Sequence, residues 1–421
     1  MLDIRLIREN PDEVRRRAKT KNIDVDVDMI LRVDTKRRET LTRADDLKKE
    51  RNDLSAEVGR RMKAKEDAED LKQRVRKIGD EVKTLDEECA ELDSELHNIL
   101  LRVPNLPHES VPVGSDESKN RVLREWGSKP VFDFEPKGHW EIGEKLGIIN
   151  FEQGTKVSGS GFIVYSGSGA KLQRTLISFM IDMHVARHGY REVYPPFVVT
   201  RETMTGTGQL PKFEEDLYRM DADDMFLIPT AEVPVTNLRR EEIIADQELP
   251  LYYVAFTPCF RREAGSYGKE TRGITRIHQF DKVEMVKLVR PEDSFAELET
   301  LLQQAEDVLR ALGLHYRVVE ICTGDLGFSN CKQYDLEVWA PGMGRYLEVS
   351  SCSNFTDYQA RRASIRFRRE PKAKPEYVHT LNGSGLALPR TMIAILESLQ
   401  QADGSVRVPD ALKPMMQRDL L

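Results

Sequence analysis

Cysteine is scarce in this chain: five residues in 421, at positions 89, 259, 322, 331 and 352, an odd set with no C-x-x-C pair and no close histidine partner. That excludes a disulfide framework and a structural zinc site, and the thiols are expected to be reduced and mostly to behave as small hydrophobes. Long apolar runs are missing too. No uninterrupted stretch approaches the roughly 20 residues a membrane helix needs. The first ten residues, MLDIRLIREN, are charged from the third onward and lack the apolar core of a secretion signal, so the expected compartment is the cytoplasm. There is no basic excess: 64 Lys and Arg against 71 Asp and Glu give a net charge of −7. Taken alone, that sum argues weakly against a polyanionic partner, but the distribution of charge matters more.

The common nucleotide fingerprints are absent as well. No G-x-G-x-x-G follows a strand, and Gly268-Lys269 looks like the end of a P-loop except that Glu263 stands at its first glycine and Glu270 at its Ser/Thr. If ATP binds, it uses another solution. What remains is a soluble composition, 32% charged and 39% hydrophobic, in a chain long enough for two to three domains.

The N-terminal third is helical. Asn10-Pro11 supplies a cap and a first-turn residue for a short helix toward residue 20, and Asp26 or Asp28 can cap a longer one reaching about residue 62. The return segment is sharper: Leu71, Val75, Ile78, Val82, Leu85, Cys89, Leu92, Leu96, Ile99 and Val103 alternate spacings of four and three. This is a heptad seam. The first helix carries a looser version at Ile30, Val33, Ala44, Leu47, Leu54 and Val58, interrupted by Arg37, Thr40 and Arg51. The two helices are expected to fold back as an antiparallel coiled coil over about 28–103 with its tip near Met62 to Asp70, and the return helix would project roughly 50 Å.

Arg60, Arg61, Lys63, Lys65, Lys72, Arg74, Arg76 and Lys77 face four acids (66, 67, 69, 70) near that tip, a local charge of +4. A solvated coiled-coil surface and an arm that contacts a phosphate backbone both account for it. Charge alone does not choose. Three prolines and a glycine in Val103-Pro-Asn-Leu-Pro-His-Glu-Ser-Val-Pro-Val-Gly114 then mark a domain boundary. The expected organisation is residues 1–103 as a helical arm, 104–130 as a linker, and 131–421 as a second domain.

In that second domain strands follow strands, at Phe162–Tyr165, Glu192–Tyr194, Met225–Ile228, Val283–Val286, Tyr316–Glu320, Tyr334–Val338 and Tyr346–Val349. Helices are expected over Ala170–Arg187, Pro291–Leu312 and Arg390–Gln401. The pattern predicts an α+β domain built on a mostly antiparallel sheet. Its most informative segment runs from Phe260 to Phe280, two strands joined by a Gly-rich loop with Arg261 and Arg276 at its flanks. Arginine offers a planar fork to phosphate oxygens and a flat cation to an aromatic face, while glycines at 265, 268 and 273 let backbone approach a polyanion. A surface hairpin would explain the glycines but not the arginines.

Phe260-Arg-Arg-Glu263 with the loop to Arg276 and Phe280 resembles motif 2 of class II aminoacyl-tRNA synthetases, and Gly385-Leu-Ala-Leu-Pro-Arg390 entering a helix resembles motif 3. The helix ending near Gly189, followed by Tyr190 to Pro196, resembles motif 1. With Thr230-Ala-Glu232, Glu348-Val-Ser-Ser-Cys-Ser353, Asn382-Gly-Ser384 and the helical arm, essentially the whole chain resembles seryl-tRNA synthetases of the bacterial type.

The resemblance implies a class II antiparallel catalytic sheet flanked by helices, plus a coiled-coil tRNA-binding arm. It implies that Arg261, Arg390 and Glu348 are catalytic, and that ATP is bound by Arg261, Arg262, Glu263, Arg276, Ile277, Phe280, Glu348, Val349, Ser350, Ser351 and Arg390. Arg261 would hold the α-phosphate, Glu263 accept from the adenine amino group, Phe280 stack under the base, and Arg390 cover its other face and reach the γ-phosphate. Glu348 and Ser351 would hold Mg²⁺ with the ATP phosphates. Serine would sit among Thr230, Ala231, Glu232, Glu284, Asn382 and Ser384, the acids anchoring its ammonium. Polar partners for a hydroxyl penalise alanine, whereas threonine must be excluded by shape. No zinc is expected. The implied partners are ATP, serine, tRNA(Ser), tRNA(Sec) where the host has one, and a second copy of the chain paired through motif 1, with the arm reaching the long variable region of the tRNA. A ligase loading an amino acid onto a carrier protein would lack the long arm, and a non-catalytic relative would not need Arg261, Glu263, Glu348 and Arg390 together.

Overall fold

The computed structural model describes residues 1–264 and 272–421, so Gly265 and Gly268 of the loop, with the P-loop-like Gly268-Lys269, lie outside the described residues. Two compact units result. One comprises Leu2–Lys19 and Ile23–Pro104, the other Met1, Thr20–Asn22 and Asn105–Leu421.

The first unit holds helices α1 (Ile4–Glu9), α2 (Pro11–Thr20), α3 (Val27–Ala64) and α4 (Glu69–Leu100). Asp26 is the cap of α3, its carboxylate accepting from the Met29 N–H at 2.8 Å. At the far end Lys65 takes a left-handed conformation (φ 60°) that turns the chain into the short tip before α4. The heptad seam is the buried face. Ile78, Val82, Leu92 and Leu96 are buried on α4, opposite Ile30 and Ala44 on α3. Two residues that interrupt the α3 pattern nevertheless join that face: Thr40 is buried and Arg37 pairs with Asp93 of α4. The α4 helix stops at Leu100, three residues short of the seam's last member Val103, because Pro104 disfavours helical backbone at the residue before it. Helix α1 carries no periodic signal long enough to read; Asp3 caps it by accepting from the Arg5 N–H.

The second unit is built on one eight-stranded sheet. Its strands are β1 (Arg121–Trp126), β2 (Arg191–Glu192), β3 (Leu251–Phe260), β4 (Gln279–Val289), β5 (Tyr316–Glu320), β6 (Lys332–Ala340), β7 (Arg345–Thr356) and β8 (His379–Ala387). Their order is β1-β5-β6-β7-β8-β4-β3-β2, antiparallel throughout except for β2 beside β3. Residues 104–130, expected to be a linker, instead contribute the edge strand β1, paired with β5 from Arg121↔Glu320 to Trp126↔Tyr316.

Three long helices, α5 (Gly167–His188), α6 (Ser294–Leu312) and α7 (Leu388–Ser398), pack on the sheet. Leu172, Leu176 and Met180 of α5, Leu298, Leu301 and Leu302 of α6, and Met392, Ile393 and Ile395 of α7 form one core cluster with Val283 and Met285 of β4 and Leu336 and Val338 of β6. Side chains alternate across a strand, so Lys282 and Glu284 of β4 face away from that core, while Phe280 at the strand's start packs against its margin and also lines the pocket. That opposite face carries the pocket. Cys259, Cys322, Cys331 and Cys352 are buried. Among the described residues no helix is long and apolar enough to cross a membrane.

Candidate active site

A cavity of about 320 Å³ opens on the face of the sheet opposite that core. Of the residues expected to bind ATP, it is lined by Arg261, Glu263, Arg276, Ile277, Phe280, Glu348, Ser351 and Arg390; of those expected to bind serine, by Thr230, Glu232, Glu284, Asn382 and Ser384. The described lining does not include Arg262, whose side chain is exposed, nor Ala231, Val349 and Ser350, which are buried. Ser350 turns its hydroxyl to the Ser384 carbonyl at 2.6 Å instead, tying β7 to β8.

Strand register explains the convergence. Glu284 stands opposite Ser384 across β4 and β8, and Ser353 opposite Asn382 across β7 and β8. Glu348 and Ser351 are three residues apart, which in a regular strand would send them to opposite faces. A bulge corrects this: Glu337 pairs with Glu348 while Leu336 pairs with Ser350, leaving Val349 as an extra residue.

At one end two of the three arginines, Arg276 and Arg390, are already matched with acids. Arg276 Nη1 donates to Glu263 Oε2 at 2.9 Å. Arg390 Nη1 donates to the Glu348 carbonyl at 2.7 Å and to its carboxylate at 3.3 Å. Arg261 Nε donates to the Pro229 carbonyl at 3.3 Å, and its guanidinium lies 5.1 Å from the centre of the Phe280 ring. The returning limb of the loop is pinned from behind: the Ile274 N–H donates to His139 Nε2 at 3.0 Å, so the other ring nitrogen carries the proton and donates to Glu397 of α7 at 2.8 Å. Gly273 (φ +71°) is required there, since a Cβ would fall 2.0 Å from the His139 ring.

Among the described residues no group of three or more His, Cys, Asp and Glu side chains is placed to hold a metal ion. Mg²⁺ asks for less. It takes hard oxygen donors and is bound through one or two protein ligands plus substrate phosphates. Glu348 and Ser351 supply a carboxylate and a hydroxyl facing the cavity, and a second carboxyl, Asp335, lies close enough that burial first and the Glu348 charge next raise its pKa well above the usual range. The donor set fits such an ion.

The other end is acidic and deeply buried. Lys282 Nζ lies 2.5 Å from Glu284 Oε2 and donates to Thr230 Oγ1 at 2.8 Å. Gln359 Nε2 donates to Glu232 Oε1 at 2.6 Å, while its own Oε1 accepts from Thr380 Oγ1. Burial, then the Glu284 charge, raises the Glu232 pKa to about 7. Neither Lys282 nor Gln359 is a residue the sequence singled out. Lys282 stands two positions before Glu284 on β4, so period two alone places it in the same pocket; Gln359 is on a short helix after β7 and carries no comparable signal.

The arm-tip residues lie in the other unit. Arg60 and Arg61 pair with Glu57, Arg61 also with Asp70, Lys72 with Glu69 and Arg74 with Glu50. Lys63, Lys65, Arg76 and Lys77 are exposed, and none forms an ion pair among the described residues.

Two family models match this chain: the tRNA synthetase class II core domain (G, H, P, S and T) over residues 212–399 and the seryl-tRNA synthetase N-terminal domain over residues 1–107. A serine–tRNA ligase of Geobacter sulfurreducens is 56% identical, the match covering 99% of this chain and 98% of that protein. One of Geobacillus kaustophilus is 55% identical over the full length of both. The crystal structure of seryl-tRNA synthetase from Pyrococcus horikoshii complexed with ATP superposes with a TM-score of 0.94 at 40% identity, covering 100% of this chain and 99% of the other.

Proposed function

The chain belongs to the seryl-tRNA synthetase family and is a serine–tRNA ligase, and on that premise we propose how its residues divide the work. One observation carries the reading: a single cavity holds a buried acidic end at Glu232 and Glu284 and an arginine-rich end at Arg261, Arg276 and Arg390. An α-amino acid and a nucleotide triphosphate need these two environments side by side.

Serine enters with its ammonium at Thr230, Glu232 and Glu284 and its hydroxyl toward Asn382 and Ser384. Its carboxylate oxygen attacks the α-phosphorus of ATP, the bond to the bridging oxygen breaks, and pyrophosphate leaves with the electron pair. No side chain has to act as nucleophile or general base, so positioning and electrostatics account for the rate. Arg261 stabilises the charge that builds on the α-phosphate. Glu263 accepts from the adenine amino group, Phe280 stacks under the ring, and Arg390 covers it and reaches the γ-phosphate. Glu348 and Ser351 hold Mg²⁺, which when bound offsets the charge of the phosphates. A ribose hydroxyl at the tRNA 3′ end then attacks the seryl carbonyl, and AMP departs.

The arm takes the tRNA through its basic tip, and where the host has a tRNA(Sec) the enzyme charges it with serine as well. The active form is a homodimer paired through the motif 1 segment, where Val185 and Tyr194 present exposed apolar surface. It works in the cytoplasm. The test is amino-acid-dependent ATP–pyrophosphate exchange across all twenty amino acids. Serine is expected to give the signal, with alanine and threonine far below it; no exchange with serine overturns the assignment of this pocket.

A further inference from the structure

Lys21 lies in the turn between α2 and α3, is 5% exposed, and has no carboxylate within ion-pair distance among the described residues. Its ammonium is surrounded by main-chain oxygens instead. Its three N–H groups are shared among four carbonyls, those of Gly327 at 2.6 Å, Phe328 at 3.0 Å, Asn330 at 3.0 Å and Asn105 at 3.2 Å from Nζ. Three of the four belong to one short stretch of the loop between β5 and β6. Carbonyl dipoles aimed at one point repel each other and are costly to bury unsatisfied, so the donor at their centre holds the loop in this conformation; burial lowers the Lys21 pKa to about 7, and the carbonyls favour its protonated form.

That stretch is also a wall of the active site. Gly327, Phe328, Ser329 and Asn330 line the cavity. Asn330 Nδ2 donates to Ser353 Oγ at 2.9 Å, and Ser353 is the register partner of Asn382, which belongs to the serine end. On the other side Ser329 Oγ lies 2.4 Å from where a Cβ of Gly208 would stand, so the wall packs directly against Gly208, which also lines the cavity. Arg261 and Arg276 are carried by a different loop, and Phe280 by β4.

We propose that Lys21 is a positioning residue for the serine end of the pocket, its ammonium locking the Gly327–Asn330 wall through four main-chain carbonyls. The proposal rests on the assignment of that end to serine, which the wild-type exchange assay tests separately. Lys21 touches no substrate. Its effect is on the width and shape of the space the amino acid occupies.

The experiment is steady-state ATP–pyrophosphate exchange with Lys21→Met, which keeps length and loses charge, and Lys21→Ala, which leaves the four carbonyls facing a gap. Lys21→Met is expected to raise KM for serine about tenfold or more while KM for ATP changes less than about threefold. Lys21→Ala is expected to recover serine affinity in millimolar methylammonium or potassium but not in tetramethylammonium, which cannot donate to carbonyls. Equal rises in both KM values without rescue overturn the proposal, as does an unchanged KM for serine. If both Lys21 variants fail to fold, Asn330→Ala decides, because it cuts the link from the wall to Ser353 and leaves the cage intact: a serine-selective rise in KM supports the proposal and an unchanged KM for serine overturns it.

Discussion

Lys282 Nζ stands 2.5 Å from Glu284 Oε2 and within hydrogen-bonding distance of Thr230 Oγ1, two of the groups assigned to the substrate ammonium. A protein cation thus lies against the same groups that the ligand's own cation is proposed to use. The side chains of Lys282 and Glu284 are 8% and 3% exposed, so neither charge is tolerable there alone. Lys282→Met is expected to cost about 3 to 5 kcal/mol of stability, the range for breaking a buried pair from one side, and to lower serine-dependent exchange at least tenfold. Chemical denaturation together with exchange kinetics checks both. A stable variant with wild-type serine kinetics would show that the pair is dispensable.

Glu232 gives the pocket a pH dependence of known sign. Burial and the neighbouring Glu284 raise its pKa to about 7, above the value of an unfolded glutamate, so in the free protein its contribution to stability is full below the unfolded pKa and is lost as pH rises through about 7. Serine binding runs the other way, because an ammonium needs the carboxylate. KM for serine is expected to rise as pH falls from 8 to 6, and binding near pH 7 to release about half a proton, the fraction expected at the pKa. Titration calorimetry in buffers of different ionisation enthalpy measures the proton, and Glu232→Gln should abolish its release.

Arg390 and Glu348 form a pair of the opposite kind. Their side chains are 25% and 44% exposed, and such a pair is worth about 1 kcal/mol at most. Glu348→Gln should therefore leave the melting temperature within about 2 °C of wild type. The loss is expected in function: the Mg²⁺ concentration for half-maximal exchange should rise about tenfold or more. An unchanged Mg²⁺ requirement would remove Glu348 from the proposed metal site.

The arm and the catalytic unit should be separable. Arg37 of α3 pairs with Asp93 of α4, so deleting residues 40–92 joins positions that already face each other. Charging of tRNA(Ser) should be abolished while serine-dependent exchange persists, and loss of both would contradict the two-module reading. Replacing Lys63, Lys65, Arg76 and Lys77 together by glutamine should raise KM for tRNA and flatten its salt dependence, since each phosphate contact contributes to the salt slope.

Periodicity and motif spacing carried much of this molecule. The seam of α4, the span of β5 at Tyr316–Glu320 and the α+β class were legible because each is a repeat along the chain or a local pattern. Strand β8 was not. Its Asn-Gly-Ser-Gly centre has poor strand propensity, yet it lies in the middle of the sheet, where the space a Gly383 Cβ would fill is already taken by Cys352 Sγ at 2.8 Å. Strand β1 was hidden for a related reason: all six of its residues are exposed at a sheet edge, which leaves no alternation to detect.

The amino-acid sequence by itself determined the arm, the antiparallel class and the identity of the arginines and acids that meet in one cavity, because those features are written as spacing and residue type. Tertiary structure alone decided how they are arranged. A bulge at Val349 turns Glu348 and Ser351 to the same face, Lys282 neutralises Glu284 across less than 3 Å, and Lys21, some three hundred residues away in sequence, supports the wall of the pocket. Each of these depends on strand register or on a contact between distant segments. Apart from the placement of Lys282 and Glu284 on one face, which period two already gives, neither leaves a trace in local pattern, since the same residues in another register would form a different site.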